Sequence, residues 1–280
     1  MPELPEVETI RRGLEKYLAG HVIKDIEIRL AKQFSGNPKL VIGSKIIAVR
    51  RFGKGLIIDI ENGYSIAIHI KMTGQLIYED AGTHAKWHPT KVGKVLPSSF
   101  THIIFHLDKN ASLFYNDIRQ FGWIKIVKTE EVNSLPFFKS LGPEPLKDLT
   151  LEKFSGILKN TRMPIKPLLM DQTKIAGIGN IYANDALYVA KINPKRSSSS
   201  LTTQELTKLF NAIETVLKKG LEVGGASEWQ YVNALGETGK YQNFFQVYGR
   251  DGKPCKRCGT IIERIKMGGR GTFFCPACQK

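Results

Sequence analysis

No cysteine precedes Cys255 in this chain of 280 residues, and no part of the sequence holds a long apolar run. The absence of cysteine from most of the chain leaves nothing there from which to build a disulfide framework. A membrane-spanning helix needs about 20 predominantly apolar residues, and no stretch approaches that length. Met1–Glu8 also lacks the basic and apolar regions of a secretory signal peptide. The sequence therefore predicts a cytoplasmic protein without membrane spans.

Acidic residues are scarce in this chain. It has 26 Asp and Glu against 41 Lys and Arg, which gives a net charge of +15 and a pI of about 9.6. Such an excess attracts polyanions over a long range, and nucleic acid is the usual partner. An anionic membrane surface is the alternative that charge alone leaves open. The hydrophobic content of 42% is ordinary for a globular protein.

The four cysteines form two pairs near the C-terminus. Cys255 and Cys258 are separated from Cys275 and Cys278 by sixteen residues, and each pair has the C-x-x-C spacing of a zinc ribbon. Two disulfides are the alternative, which a reducing cytoplasm disfavours. Four thiolates leave no open coordination position. The sequence therefore predicts one structural Zn²⁺ and not a catalytic metal.

Helical periodicity appears near the N-terminus and again in the second half of the chain. Residues 3–19 carry apolar side chains at helical spacing, and Gly20 is a suitable stop. Thr202–Glu205 resembles a capping box that precedes a second amphipathic stretch ending at Gly220. The sequence predicts a helix at each place.

From residue 22 to about residue 128 the hydrophobic period changes to two. Tight-turn signals separate 56–60 from 64–70, and a similar signal separates 102–107 from 112–115. These segments are predicted to form hairpins. Many short strands joined by turns favour a β-sandwich or a barrel.

The changes of period predict an α+β multidomain protein. Residues 1–135 would form an N-terminal β-sandwich that bears the first helix, and the stretch 136–150, rich in proline, would be a linker. A helical domain is predicted at 151–244 and the zinc ribbon at 245–280.

Pro2 is the first candidate for chemistry. Initiator Met1 is normally removed before a small residue such as proline, which would leave a free secondary amine at the start of a helix. The partial positive charge of a helix N-terminus disfavours the protonated amine and so favours its nucleophilic form. A secondary amine that attacks a sugar aldehyde carbon can form an iminium, which is an electron sink for elimination. On Met1-Pro2 alone, a proline that merely starts a helix is the simpler interpretation.

Five collinear segments, spread over nearly the whole chain, are Met1–Thr9, His69–Gly74, Asp117–Gly122, Ala176–Ala183 and Gly269–Pro276. Together they resemble bacterial formamidopyrimidine-DNA glycosylases. The resemblance implies a bifunctional base-excision-repair enzyme: a monomer of the bacterial cytoplasm or nucleoid that excises oxidised purines from damaged double-stranded DNA and nicks the strand by β- and δ-elimination. It also implies a catalytic N-terminal helix, a helix–two-turns–helix element, and DNA lying in a basic cleft between the domains.

The resemblance assigns catalytic roles residue by residue. Pro2 would be the Schiff-base nucleophile, and Glu3 the acid/base that protonates the sugar ring oxygen as the ring opens. Lys54 would contact phosphate and assist β-elimination, and Arg270 would clamp phosphates and assist δ-elimination. The alternatives are structural: Glu3 complements the helix dipole, Lys54 is a solvated turn lysine, and Arg270 is one basic residue of a basic tail. For Glu6, two explanations account equally well for an acidic residue at this position: it supports the site, or it complements the helix dipole.

The resemblance also implies DNA contacts. Met72, Arg119 and Phe121 would fill the gap left by an everted nucleotide, with core packing as the alternative for the two apolar side chains. Asn180 is expected to cap a helix whose free N–H groups suit a phosphate, and Arg162 is a second phosphate candidate.

Departures from the family pattern limit what carries over. Lys71 stands where Gly or Arg is usual, Phe100 where a basic residue or His is often found, and Lys240 where an aromatic residue is common. These departures leave the exact lesion preference open. The endonuclease VIII-like branch, which prefers oxidised pyrimidines, is the alternative enzyme, although Leu4 fits the purine branch better. A non-catalytic zinc-ribbon DNA-binding protein is the alternative from another class.

Overall fold

The first element of the computed structural model, which describes residues 1–83, 89–93 and 95–280, is helix α1, Leu4–Leu18. Its buried face includes Val7, Ile10 and Leu14, as the helical spacing predicted. The prediction for residues 3–19 is confirmed, one residue shorter at each end. None of the helices in the described part of the chain combines the length and the apolar character that a membrane span requires.

Two sheets follow α1. Their strands are β1 Ile23–Ile28, β2 Phe34–Ser35, β3 Ile46–Phe52, β4 Gly55–Ile60, β5 Tyr64–His69, β6 Gly74–Glu79, β7 Thr101–Leu107, β8 Ser112–Asp117 and β9 Trp123–Lys128. The four-stranded sheet has the strand order β1-β7-β8-β6, and the five-stranded sheet has the order β2-β9-β5-β4-β3. Both predicted hairpins are present, as β4 with β5 and as β7 with β8. A short helix, α2 Pro89–Val92, precedes β7.

The two sheets share one apolar core, which makes this part a β-sandwich. Ile58 and Ile68 of the five-stranded sheet belong to the same buried cluster as Phe105 and Tyr115 of the four-stranded sheet. Helix α1 contacts β3 and β4 of one sheet and β6 of the other. The helix therefore packs against both layers of the sandwich.

Contacts divide the chain into two units. The first contains Met1–Lys139 and Leu221–Gln242, and the second contains Ser140–Gly220 and Asn243–Lys280. The sequence placed 221–242 in the helical domain. In the structure this segment packs with the sandwich, because Tyr231 and Ala234 lie in the sandwich core. Helix α3, Pro136–Lys139, also belongs to the first unit, although the sequence placed it in the linker.

The second unit is helical and ends in a zinc-ribbon hairpin. The capping box is confirmed, because the Thr202 N–H donates to Glu205 Oε2 at 2.8 Å and the Glu205 N–H donates to Thr202 Oγ1 at 3.3 Å. The helices are α4 Leu151–Lys159, α5 Ile165–Met170, α6 Asn180–Ala190 and α7 Thr203–Glu222. The last two residues of α7 belong to the first unit. The hairpin strands are β10 Glu263–Met267 and β11 Arg270–Phe274.

Candidate active site

Pro2 and Glu3, directly before the first turn of α1, are both buried. Glu3 is the N-cap residue, and its side chain is only 2% exposed. The main-chain N–H of Glu3 donates to Glu6 Oε2 at 2.8 Å. Helix electrostatics alone would keep an acidic side chain at the solvent-exposed surface. The burial of both carboxyl groups therefore points to a built site.

The segment after α7 donates a hydrogen bond to the Glu6 carboxylate. Glu6 Oε1 accepts a hydrogen bond of 2.7 Å from the main-chain N–H of Ala226. Gly225 has a φ of +80°, and a Cβ at this position would lie 2.7 Å from Glu6 Oε1. Glycine is therefore required for the close approach. Glu6 holds the helix start with one oxygen and this segment with the other.

Lys54 lies in the tight turn between β3 and β4. Phe52 pairs with Gly55 across the turn, and Gly53 takes a φ of +55°. The Lys54 side chain is only 3% exposed, so the alternative of a solvated turn lysine does not describe it. From α3, Phe138 packs on the turn, since a Cβ on Gly55 would lie 2.6 Å from the Phe138 ring.

His69, at the end of β5, is a neutral imidazole close to two lysines. Burial and the positive charges of Lys71 and Lys54 lower the pKa of His69 to about 3. Its Nδ1 accepts a hydrogen bond of 2.9 Å from the Lys71 N–H. Lys71 takes a φ of +49°, a conformation that glycine adopts more readily. Two positive charges therefore act on one buried imidazole at the end of β5.

Met72, Arg119 and Phe121 lie together. The Arg119 Nη1 group lies 3.3 Å from Met72 Sδ, and the guanidinium lies 4.7 Å from the centre of the Phe121 ring. The Phe121 side chain is 56% exposed. Core packing therefore does not explain Phe121. The three side chains form one apolar and cationic group on the first unit.

A buried aspartate shapes the turn that presents this group. Asp117 is fully buried, and its Oδ2 accepts 2.8 Å hydrogen bonds from the Gln33 side chain and from the Gly122 N–H. The Thr73 hydroxyl donates to Asp117 Oδ1 and in turn accepts the Arg119 N–H at 3.0 Å. Because Thr73 is next to Met72 in the chain, Asp117 fixes the backbone on both sides of the group.

In the second unit, Asn180 is the first residue of α6. The expectation that Asn180 is the N-cap is wrong by one residue, because Gly179 occupies that position. The Asn180 side chain instead accepts a 2.6 Å hydrogen bond from Lys166 Nζ. Lys166 is fully buried and also donates to Thr272 Oγ1 at 2.9 Å. The start of α6 is thereby tied to β11.

Arg162 and Arg270 are both exposed. Arg270 begins β11 and pairs with Met267 across the hairpin turn. The Asn184 side chain accepts the main-chain N–H of Phe273 at 2.8 Å. The strand that carries Arg270 is thus fixed to α6 at two points, through Asn184 and through Lys166.

The four cysteines converge at the end of the chain. Their Sγ atoms all lie within 4.8 Å of one another, and the separations are 3.9 Å for Cys255–Cys278 and 3.6 Å for Cys258–Cys275. A tetrahedral ion with Zn–S bonds of about 2.3 Å requires sulfur atoms about 3.8 Å apart. The N–H of Arg257 donates to Cys255 Sγ at 3.4 Å, which favours a thiolate. The donor set fits one zinc ion.

Three residues of the site were given no role from the sequence. His69 and Asp117 lie within recognised motifs, and the signal that could have found them was a polar residue at the end of a predicted strand. Lys166 stands in the apolar run Ile165–Met170, where a buried lysine requires partners. Sequence alone does not show what those partners are.

Comparisons with known proteins agree along the whole chain. Family models match for the formamidopyrimidine-DNA glycosylase N-terminal domain over residues 1–124, for its H2TH domain over 141–231, and for the zinc finger found in FPG and IleRS over 252–280. The zinc-finger match and the four clustered cysteines together identify one structural zinc site.

Individual relatives match at full length. The formamidopyrimidine-DNA glycosylase of Pelotomaculum thermopropionicum is 43% identical, with 100% of this chain and 99% of the relative covered. A complex between a point mutant of the Lactococcus lactis FPG and DNA containing Fapy-dG has a TM-score of 0.89 at 36% identity, with 100% of both chains covered. A complex of the wild-type L. lactis protein with DNA containing an oxidised pyrimidine has a TM-score of 0.88, also at 36% identity and 100% of both chains.

Proposed function

The chain belongs to the formamidopyrimidine-DNA glycosylase family, and we propose that it is a bifunctional glycosylase and abasic-site lyase that removes oxidised purines, including 8-oxoguanine and formamidopyrimidines, from double-stranded DNA. The observation that carries the proposal is the burial of Pro2 and Glu3 together at the start of α1. A protein that only binds DNA needs neither an N-terminal proline in a buried site nor a carboxyl group beside it.

Pro2 is the nucleophile in this proposal. After removal of Met1, its secondary amine attacks C1′ of the damaged nucleotide. The base leaves with the electrons of the N-glycosidic bond and takes up the proton that the amine nitrogen loses. Glu3 protonates the sugar ring oxygen as the ring opens, and an iminium links Pro2 to C1′. The hydrogen bond between the Glu3 N–H and Glu6 fixes the first turn before the sugar arrives.

Strand cleavage follows from the iminium, which acidifies the neighbouring sugar C–H bond. Loss of that proton expels the phosphate on the 3′ side, and a second elimination expels the phosphate on the 5′ side. Lys54 holds a phosphate and assists the first step, and Arg270 clamps the phosphates and assists the second. The positive charges of Lys54 and Lys71 both act on His69, and two cations near one imidazole support this assignment of a phosphate to the β3–β4 turn.

Access to C1′ requires that the damaged nucleotide leave the duplex. Met72 and Phe121 would occupy the vacated space, and Arg119 would pair with the orphaned base. The exposed Phe121 ring, held beside the Arg119 guanidinium, supports this role. Arg162 and Asn180 would contact phosphates from the second unit.

Borohydride trapping tests the nucleophile. The protein is mixed with duplex DNA containing an abasic site, reduced with borohydride, and the cross-linked peptide is mapped. The expected adduct lies on the Pro2 nitrogen of a chain that lacks Met1. A cross-link on a lysine such as Lys54 would show that the nucleophile has been assigned wrongly, and a protein that binds the duplex without any adduct would be a binder only.

The substrate class needs a separate comparison. Excision rates are measured on matched duplexes that contain 8-oxoguanine or thymine glycol. Faster excision of 8-oxoguanine is expected. A preference for thymine glycol would place the chain with the endonuclease VIII-like activity while leaving the Pro2 chemistry intact.

A further inference from the structure

Glu8, a residue of α1 that takes no part in the proposed chemistry, accepts hydrogen bonds from three arginines. Glu8, two residues after Glu6, accepts hydrogen bonds from Arg12 Nε at 2.9 Å, from Arg11 Nε at 3.1 Å and from Arg51 Nε at 2.9 Å. Arg11 and Arg12 are neighbours on the same helix, but Arg51 lies on β3. Glu8 is therefore a cross-link between α1 and the five-stranded sheet.

Arg51 continues this link into the turn that carries Lys54. While its Nε donates to Glu8, its Nη1 donates to the carbonyl oxygen of Gly53 at 2.9 Å. One planar guanidinium therefore joins the catalytic helix to the residue directly before Lys54. Lysine cannot reproduce this arrangement, because its ammonium is a single point on a flexible stem.

The environment makes the link a stable ion pair. Side-chain exposure is only 10% for Arg51 and 14% for Glu8. Burial opposes ionisation of Glu8, but its hydrogen bonds to Arg11, Arg51 and Arg12 outweigh burial and lower the pKa of Glu8 to about 2. The pair is thus charged at any pH at which the enzyme would act, and Phe138 packs on the far end of the same turn.

We propose that Arg51 is a positioning residue for strand cleavage, which sets Lys54 relative to the start of α1 through Glu8 and the Gly53 carbonyl. The inference rests on the proposed function, because Lys54 is taken to assist β-elimination. Arg51 itself touches no substrate in this scheme. Its removal should slow elimination and leave attack by Pro2 largely unchanged.

A double-mutant cycle tests the coupling. Arg51→Lys, Lys54→Ala and the double variant are compared in single-turnover reactions on a duplex with a pre-formed abasic site. Arg51→Lys should slow β-elimination by about tenfold, the magnitude expected for losing a charge-assisted hydrogen bond. On the Lys54→Ala background the same change should alter the rate by no more than about twofold. The rate of borohydride trapping, which reports Schiff-base formation, should stay near that of the wild type.

Arg50→Lys is the matched control. Arg50 is the preceding residue of β3 and points to the opposite face of the strand, where it pairs with Asp59. The Arg50→Lys variant should change neither the rate of β-elimination nor the rate of borohydride trapping. Glu8→Gln should reproduce the effect of Arg51→Lys, because it removes the charge that holds the guanidinium.

Several outcomes would overturn the inference. Equal losses from Arg51→Lys in the presence and absence of Lys54 would mean that Arg51 acts on the fold as a whole, as would a parallel loss of trapping. Unchanged elimination in Arg51→Lys would show that the link is not needed. Unchanged elimination in Lys54→Ala would also overturn it, whereas a Pro2 adduct in that same variant would leave the proposed glycosylase intact.

Discussion

Glu6 and Ala226 lie 220 positions apart in the sequence, and the Ala226 N–H donates a 2.7 Å hydrogen bond to Glu6 Oε1. The other oxygen of this carboxylate holds the Glu3 N–H. A segment that follows the last long helix is thereby attached to the turn that presents Pro2 and Glu3. The residues that we propose as catalytic, at the start of the sequence, are therefore held by a loop more than 200 positions further along the chain.

Glu3→Gln should abolish base excision and leave DNA binding close to that of the wild type. The change keeps the size of the side chain and removes the exchangeable acid proton. Some elimination should remain at pre-formed abasic sites, where no base has to leave. Pro2→Gly should keep part of the activity, since a primary amine still forms an imine.

Gel-based excision assays and binding titrations separate these effects. Glu152→Gln is the control, because Glu152 also lies in the first turn of a helix and tests whether the helix dipole alone matters. Normal base excision by Glu3→Gln would contradict the assigned role.

Phe121→Ala and Met72→Ala should impair the processing of a lesion in duplex DNA more than reaction with a pre-opened abasic site. Both side chains lie beside the Arg119 guanidinium, where they would stabilise the opened duplex. Single-turnover rates on the two substrates measure the difference. Ile47→Ala, at a position 54% exposed, controls for the loss of a surface apolar side chain. Equal losses on both substrates, accompanied by a lower melting temperature, would indicate structural damage instead.

Lys54→Ala and Arg270→Ala should each reduce the salt dependence of DNA binding by about one unit of slope, if each side chain neutralises one phosphate. Affinities are measured over a series of salt concentrations. Lys218→Ala, at a lysine already paired with Glu214, serves as the comparison. A slope unaltered by both variants would remove these two residues from the phosphate contacts.

Cys258→Ala should release the zinc ion and weaken DNA binding together. The hairpin that carries Arg270 lies between the two cysteine pairs, and metal binding and folding are coupled in such ribbons. Metal analysis and binding assays are made on the same preparations, with Lys253→Ala as a control in the same segment. Absence of stoichiometric zinc from the intact protein would contradict the metal site.

The stability of the first unit should fall between pH 7 and pH 5 because of His69. Its pKa is about 3 in the folded protein and about 6.5 in an unfolded chain, so below pH 6.5 the unfolded state binds more protons. At pH 5 this difference amounts to about 2 kcal/mol of lost stability. Urea unfolding at both pH values measures it.

His69→Gln should remove about this much of the pH dependence of unfolding. His106→Gln, at a histidine whose side chain is 43% exposed, is the comparison variant. An identical loss of stability on acidification in the wild type and in His69→Gln would show that His69 is not neutral in the folded state.

The amino-acid sequence by itself determined the features that depend on neighbouring residues. The spacing of Cys255, Cys258, Cys275 and Cys278 fixes a zinc ribbon, because each C-x-x-C turn presents two thiolates locally. Helix α1 and the β4–β5 hairpin follow from hydrophobic period and turn chemistry in the same way. The resemblance of short motifs supplied the remaining candidates, from Pro2 to Arg270.

Only the tertiary structure decided how those candidates are held. Asp117, Lys166 and Arg51 are ordinary polar residues in the sequence, and their roles come from partners brought close by the packing of sheets and helices. The sequence also did not predict that Leu221–Gln242 packs with the first unit. This segment is held to the first helix by the hydrogen bond from the main-chain N–H of Ala226 to the Glu6 carboxylate. A main-chain donor carries no side-chain signature, so sequence patterns do not reveal such a contact, and burial makes it strong enough to organise the site.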